Sequence, residues 1–595
     1  MNNLQYVTNT IKSIAVLPFI NMSTDPENEY FSDGITEEII NALTTIKGLK
    51  VIARTSSFEF KNKNVDVRKI GSQLGISTIL EGSVRKSNNR VRITAQLIRT
   101  DDGSHLWSNT FDRELVDIFV LEDEISLAIA DEIRNNFGHF EVQEHLIKQP
   151  TSNVDAYQHF LKGRSLQLRW SPESLNQAIS YYDQAIALDK NYAKAYYANL
   201  QCYGLLGMWG FMPQQEAMEL AIGNLLIAKE IDTKLPEYPL SFVGRFFWGE
   251  WDYKNAYVHI NKVLAINPNH IDGLEAMAEL CIALGFFDHA MIYAKKLLEV
   301  DPLSANNHYT LAHIYYYEGK FDKSLESINY ALTLNPELDL AHHLKCFCLI
   351  WLNHPQEFKT LIQDTPLQEE KNLLFRVIND EHAKVSDQLI AQWAERDKKE
   401  PMIVPYDVYI LCNSGDKERS FAQLKDMIGH RRGQIINYRH EPLLQALHEI
   451  PGFSDLHHSN LSLADISLPK DNEKKQSSNI LDDEQVRNLK EKLQAYFEEE
   501  KPFLNSQLSL NNIAEVLEIN TNKVSYLVNT AFNQNFNDFV NQYRLNHFKA
   551  IALDPKNSHL TILGLAYDSG FNSKSVFNTY FKKSEGVTPS KWVKS

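Results

Sequence analysis

At 595 residues the chain is too long for one core, and three or four domains are expected. Its formal charge of −16 argues against a protein that coats nucleic acid. The charge is uneven, however: residues 501–595 hold ten Lys/Arg against six Asp/Glu, which leaves the remainder at −20. An acidic body with a basic end domain suits a protein that touches DNA at one end only. Five cysteines (202, 281, 346, 348 and 412) with no CxxC read as buried thiols of a reducing cytoplasm. No run approaches the roughly 18 apolar residues of a membrane span. The start has Pro18 inside its apolar run and lacks a leader pattern. A cytoplasmic chain with no membrane segment is expected.

Residues 11–138 read as a small α/β domain. Residues 13–19 (SIAVLPF) form a buried strand, and 30–43 a helix with Ser32 or Asp33 as its cap. Residues 49–53 and 65–74 add a second strand and a second helix. Strands at 78–86 and 90–100 flank a turn at Ser87-Asn88-Asn89, with Val91, Ile93, Ala95 and Leu97 facing inward. A strand at 104–111 and a helix at 119–137 close the unit. Asp25, Glu27, Glu29, Asp33, Glu37 and Glu38 cluster near the first helix start, where the helix dipole favours carboxylates. That explains them better than a metal or acid/base site. No GxxxxGK[ST], GxSxG or HExxH occurs, and no catalytic residue, metal or cofactor is expected. The segments IAVLPF, YFSDGITEEII, LEGSVRK and LWSNTFDRELVDIFVLEDEI resemble the TolB-like amino-terminal domain of bacterial signalling proteins. That domain often precedes tetratricopeptide repeats and accompanies an adenylate cyclase or a DNA-binding domain. The resemblance implies an architecture, not a ligand.

Residues 154–366 carry an internal repeat. Asn267-Pro268, Asp301-Pro302 and Asn335-Pro336 recur every 34 residues, and Gly285 with Gly319 and Phe287 with Phe321 keep that step. In the copy at 305–336, Leu311, Ala312 and Tyr315 stripe one helix and Ser324, Ile328 and Ala331 its partner. Two earlier copies end near Asp189 and Asp232, the second with an insertion at 207–215. The pattern resembles the tetratricopeptide repeat, which implies an α-solenoid whose groove takes a protein or peptide partner. The aromatics at 246–248, at 315–317 and Trp209 line that groove or fill the core, and helical spacing favours the core. Residues 367–458 read as a helical cap on the solenoid. The histidine pairs 342/343 and 457/458 lack further ligands nearby. The polar stretch 459–483, centred on PKDNEKKQSSN, reads as an interdomain linker.

Residues 484–595 open on a helix and then hold two similar units. In the first, Leu510, Ile513, Ala514 and Leu517 share a face, 518–520 turns, Thr521 caps, and 522–532 is the next helix. In the second, Ile562, Leu565 and Ala566 share a face, and Gly570 stands where the turn needs positive φ. Asn572 or Ser573 caps the helix that follows, with Val576, Phe577 and Phe581 as its core. Gly586 ends it. The apolar-striped segment 536–553 between the units makes a helix about 27 Å long. That is close to the roughly 34 Å between successive major-groove faces of one side of DNA.

An IA-turn helix, Tyr543-Arg544, then GF, SxxF, FKK and GxTPS run in order across residues 508–592. They resemble the AraC-type DNA-binding domain, an all-α double helix-turn-helix. The resemblance implies a bacterial transcription regulator on double-stranded DNA. It implies base-edge or groove contacts from Asn522, Ser525, Tyr526 and Asn529 of the first recognition helix, and from Asn572, Lys574, Ser575 and Asn578 of the second. Lys582, Lys583 and Arg544 become candidates for phosphate contacts. Lys582 and Lys583 also fit a solvated helix end, and Arg544 equally fits a structural ion-pair partner in the strut. Asn533 stands where the family usually has Gly, and the first recognition helix carries one basic residue, Lys523. The whole is expected to be multidomain and mainly α: a small α/β domain, an α-solenoid, then the double helix-turn-helix. A repeat scaffold with a weak or vestigial DNA-binding end is the second reading. An enzyme is the weakest, and homodimerisation is left open.

Overall fold

The computed structural model describes residues 12–594 except 148, 170, 209–210, 381–384, 398–403, 432–434, 457–460, 467–479 and 558. Trp209, His457, His458 and the centre of the expected linker lie outside the described residues. In the α/β domain, strands β1 (Ser13–Val16), β2 (Ile20–Asn21), β3 (Lys50–Val51), β4 (Thr78–Ser87), β5 (Arg90–Arg99) and β6 (His105–Glu114) form one sheet in the order β3-β1-β4-β5-β6, with β2 also on β4. β1 runs parallel to β3 and β4 and is buried along its whole length, as a strand covered on both faces must be. β4, β5 and β6 are antiparallel, and β5 buries Val91, Ile93, Ala95 and Leu97 as its alternation requires.

Helices α1 (Glu29–Thr44), α2 (Arg54–Phe58), α3 (Val67–Leu74) and α4 (Ile118–Phe137) complete the domain. α1 and α4 pack on one another; α3 seals the other face of the sheet with Ile70 and Leu74. Neither Ser32 nor Asp33 caps α1: Ser32 is buried inside it, and Asp25 instead caps the 3-10 turn that precedes it. The carboxylates of α1 are more than dipole partners. Glu29 and Asp33 share Lys61 at 2.8 and 2.6 Å, Glu37 lies between Arg54 (3.2 Å) and Arg164 (3.0 Å), and Glu38 meets Lys194 at 3.4 Å. Arg164 and Lys194 belong to the repeats, so this cluster joins two regions of the chain.

The solenoid comprises α5 (Val154–Gln167), α6 (Pro172–Leu188), α7 (Ala193–Met208), α8 (Gln214–Ile231), α9 (Glu237–Val243), α10 (Tyr253–Ile266), α11 (Ile271–Ala283), α12 (Phe287–Val300), α13 (Ala305–Tyr317), α14 (Phe321–Leu334) and α15 (Asp339–Trp351). Ser324 donates to the Ala312 carbonyl at 2.7 Å, which sets how closely α13 and α14 approach. Each pair ends on an Asp or Asn: Asp189, Asp232, Asn267, Asp301 and Asn335, with extended backbone at all of them but Asp301. At four of them a side-chain oxygen accepts from the amide two residues on, at 2.8–3.1 Å, and so turns the chain into the next pair.

Asp301 differs. Its Oδ1 accepts from the backbone N–H of Ser56 at 3.0 Å and from the Ser56 hydroxyl at 2.5 Å. Ser56 Oγ in turn accepts from the Leu303 amide, and Ala53 N–H donates to the Val300 carbonyl, both at 2.8 Å. The repeat's own turn motif is thus given over to holding α2 of the α/β domain. Asp301 is 2% exposed, and burial pushes its carboxyl up to about 6.

Helices α16 (Pro355–Ile362), α17 (Gln368–Asn379), α18 (Asp387–Asp397), α19 (Tyr406–Asn413) and α20 (Lys417–Gly429) follow. The expected cap does more than close an end, because the chain then doubles back along the repeats. Tyr438 stacks on Trp251 at 6.5 Å, His440 meets Phe287 edge-on, and Glu441 accepts from the Tyr316 hydroxyl at 2.6 Å. Gly285 serves this return as well as its own turn: a Cβ there would stand 2.4 Å from the His440 ring. The last region holds α21 (Asp483–Glu499), α22 (Leu510–Leu517), α23 (Thr521–Phe532), α24 (Phe536–Ala552), α25 (Ile562–Asp568), α26 (Lys574–Glu585) and α27 (Pro589–Lys594). All five cysteines are buried. Among the described residues no helix is long and apolar enough to cross a membrane, and no three His, Cys, Asp or Glu gather as a metal site would need.

Asp301 binds its proton more tightly in the folded chain than at the ordinary value of 3.8. Folding therefore loses stability at this residue as pH rises from about 4 through about 6. Asp301→Asn, the residue already present at 267 and 335, removes that titration. In thermal melts the variant's Tm should gain on the wild type across this window, and the difference should then stay constant. A difference independent of pH would contradict the assignment.

Candidate nucleic-acid interface

The first unit is set by caps and turns. Ser509 caps α22 in a reciprocal pair with Asn512, and Glu518 ends it at φ +56°. Asn520 caps α23 by accepting from Lys523 N–H at 2.9 Å, so Thr521 is the first helical residue and not the cap. Asn533 ends α23 at φ +54°, a left-handed conformation that Asn tolerates better than most residues. Asn535 then caps α24. Leu510, Ile513, Val524, Leu527 and Val528 pack with Phe536, Phe539 and Val540 from the first half of α24 and with Phe497 of α21.

In the second unit Thr561 caps α25 and Ser573 caps α26. Gly570 stands between them at φ +89°, and a Cβ there would lie 2.1 Å from the Phe503 carbonyl oxygen, so no other residue fits. Leu545 and Phe548, from the second half of α24, pack with Leu565, Phe571, Phe577 and Phe581. One helix therefore carries a separate core at each end, and each core holds one helix-turn-helix.

The site residues divide sharply. Asn572, Lys574, Ser575, Asn578 and Lys582 are all exposed on or beside α26. Val576, expected in the core, is instead 38% exposed. Lys583 is exposed but has a carboxylate partner, Asp538, at 3.3 Å. Arg544 is the clearest departure from a phosphate contact. It is 7% exposed and donates to the Phe503 carbonyl (2.8 Å), the Asn505 carbonyl (2.9 Å) and Asn541 Oδ1 (3.3 Å). It ties α24 to the loop before α22, through carbonyls and not through an ion pair, and burial lowers its pKa to about 10.

The four residues of α23 all turn inward. Asn522 Oδ1 accepts from Val142 N–H (3.1 Å) and from Arg134 Nη1 (2.5 Å), while its Nδ2 donates to the Val142 carbonyl (2.9 Å). Tyr526 stands edge-on to His139 with ring centres 5.7 Å apart. Asn529 lies against Gly138, its Oδ1 3.2 Å from where a Cβ would be. Ser525 is 3% exposed. Alongside, Asn535 Nδ2 donates to the Asn136 carbonyl at 3.0 Å. Arg134 to Val142 are the end of α4 and the residues after it. Sequence reasoning missed them, since nothing in a helix end nearly 400 residues away marks it as the partner of α23. Buried among this contact, His139 is pushed down to about 4 by desolvation first and by Arg134 and Lys12 second.

Residues 513–595 match the family model of a helix-turn-helix domain, and residues 305–338 that of the tetratricopeptide repeat. Residues 10–126 match the second domain of HilA/YgeH-like transcriptional regulators. The chain thus carries regulator domains at both ends and repeats of a protein-interaction type between them. A Rhizobium meliloti (strain 1021) protein with adenylate cyclase 3 in its name is 42% identical over 184 residues, and the chain spans 31% of its length. Among solved structures, YrrB, described as a TPR protein with an unusual peptide-binding site, is 20% identical over 33% of this chain and 98% of its own, with a TM-score of 0.22. The P58(IPK) TPR domain is 14% identical over 64% of this chain and 100% of its own, with a TM-score of 0.17.

Arg544→Ala should destabilise the end domain by about 1.5–3 kcal/mol, because two buried carbonyls lose a charged donor. Lys574→Ala, fully on the surface, should leave its stability unchanged. Urea denaturation of residues 480–595 checks both, and equal midpoints would contradict the structural role of Arg544.

Proposed function

We propose that the chain is a sequence-specific DNA-binding transcription regulator, in which the repeat and α/β domains sense a protein, peptide or other ligand. The observation that carries this reading is the strut: α24 holds two helix-turn-helix units on independent cores, and the second unit presents Asn572, Lys574, Ser575 and Asn578 to solvent. Asn and Ser read base edges; Lys582 and Lys583 then meet phosphates, which position the domain without reading sequence. The working partition is 11–138, 154–366, 367–458, a linker at 459–483, and 484–595. We keep the TolB-like resemblance as a description of the front domain, the bacterial cytoplasm as its place, and a non-enzymatic role. The relative named for adenylate cyclase shares under a third of this chain, and its activity does not carry over.

One observation favours the second reading, a repeat scaffold with a weak DNA-binding end: the four reading residues of α23 face protein. Residues 480–595 decide between them, because both of their cores are built from side chains within that span. Selection from a random DNA library should enrich a discrete site whose affinity falls steeply with salt. Lys574→Ala should weaken binding and lower the salt slope by about 1 if it meets a phosphate, or relax one base position if it reads an edge. No enrichment at low salt would favour the scaffold.

A further inference from the structure

The reading face of α23 is occupied, and the way it is occupied is informative. Asn522 meets the N–H and C=O of Val142 with one acceptor and one donor. A side-chain amide bonds the edge of adenine with that same pair. Tyr526 and Asn529, four and seven residues on, complete the contact along one side of the helix. We propose that the end of α4 and residues 136–142 are a docking surface for this chain's own first recognition helix, so that the α/β domain and DNA compete for one face of α23. This rests on the DNA-binding reading above. In the docked chain α26 remains exposed, so only the second unit can engage DNA.

The contact is built to open. Its bonds are polar, and among the described residues no apolar cluster spans it: the cores of the α/β domain and of the first helix-turn-helix unit share no residue. Arg134 Nε and His139 Nδ1 are buried there without a hydrogen-bond partner among the described residues. Each such atom costs free energy that water recovers when the surfaces part. Asn522, for its part, exchanges the Val142 pair for a base edge and gives up the bond from Arg134 Nη1.

Two variants of the whole chain test this. His139→Ala/Val142→Pro removes a ring contact and an amide donor from the α/β side and leaves every DNA-facing residue intact. Gly138→Cys/Asn529→Cys places two thiols on facing segments, a Cβ at 138 lying 3.8 Å from Cγ of residue 529, with the backbone at 138 shifting from φ +99° to take a side chain. DNA affinity is measured on the site selected with residues 480–595. The first variant should bind at least about tenfold more tightly than the wild-type chain, as expected if the docked form dominates by that factor. The second should bind more weakly when oxidised than when reduced, with protection of only one part of the site. If the released variant, the oxidised chain and the wild type all bind as residues 480–595 do, the docking is overturned while the DNA-binding reading stands. If residues 480–595 select no DNA, that reading falls and the inference falls with it.

Discussion

Asn522 has one carboxamide, and it bonds the N–H and C=O of Val142. On the proposed reading the edge of a base competes for that same carboxamide. On that reading one donor–acceptor pair is exchanged for another, the bond from Arg134 to Asn522 is given up, and water reaches Arg134 Nε and His139 Nδ1, so that losses and gains offset one another in part. A small difference is what a regulator needs, since a partner worth a few kcal/mol then moves the population. Lys523, the sole cation of α23, adds little phosphate attraction, so the helix alone does not pull the balance toward DNA.

The surface that covers α23 is fixed at its other side to the repeats. Asp301 forgoes the turn motif used at Asp189, Asp232, Asn267 and Asn335 and holds Ser56 instead. Glu37 and Glu38 add ion pairs to Arg164 and Lys194. On the proposed reading, a protein or peptide bound to the repeats meets the same body that shields the first recognition helix. The return of the chain over Trp251, Gly285 and Phe287 further restricts which repeat surface is open to such a partner.

Much of the fold was legible from local signals. The 34-residue step of Asp/Asn-Pro, the alternation of β5 and the apolar stripes of α22 to α26 report burial within one element or between neighbours, and periodicity records that. Gly570 was readable from its turn, although the reason no side chain fits is a carbonyl 67 residues earlier. At the candidate site, the exposure of Asn572, Lys574, Ser575 and Asn578 was legible from the polar pattern of α26, and that of Val576 was not. The surroundings of Arg544 were not legible, because a charged residue on a strut looks the same whether it meets phosphate or the carbonyls of a distant loop. The contacts of Asn522, Tyr526 and Asn529 with residues 134–142 were hidden for a related reason: their polarity suits DNA and suits a protein surface equally. The Ser56–Asp301 bond and the return of residues 435–456 are long-range and leave no period in the sequence.

Amide hydrogen exchange on the whole chain, with and without its selected DNA, tests the central claim most directly. Shared occupancy predicts that residues 134–142 lose protection when DNA binds, while α23 stays protected because one cover replaces another. Unchanged exchange at 134–142 with both units engaged on DNA would contradict it.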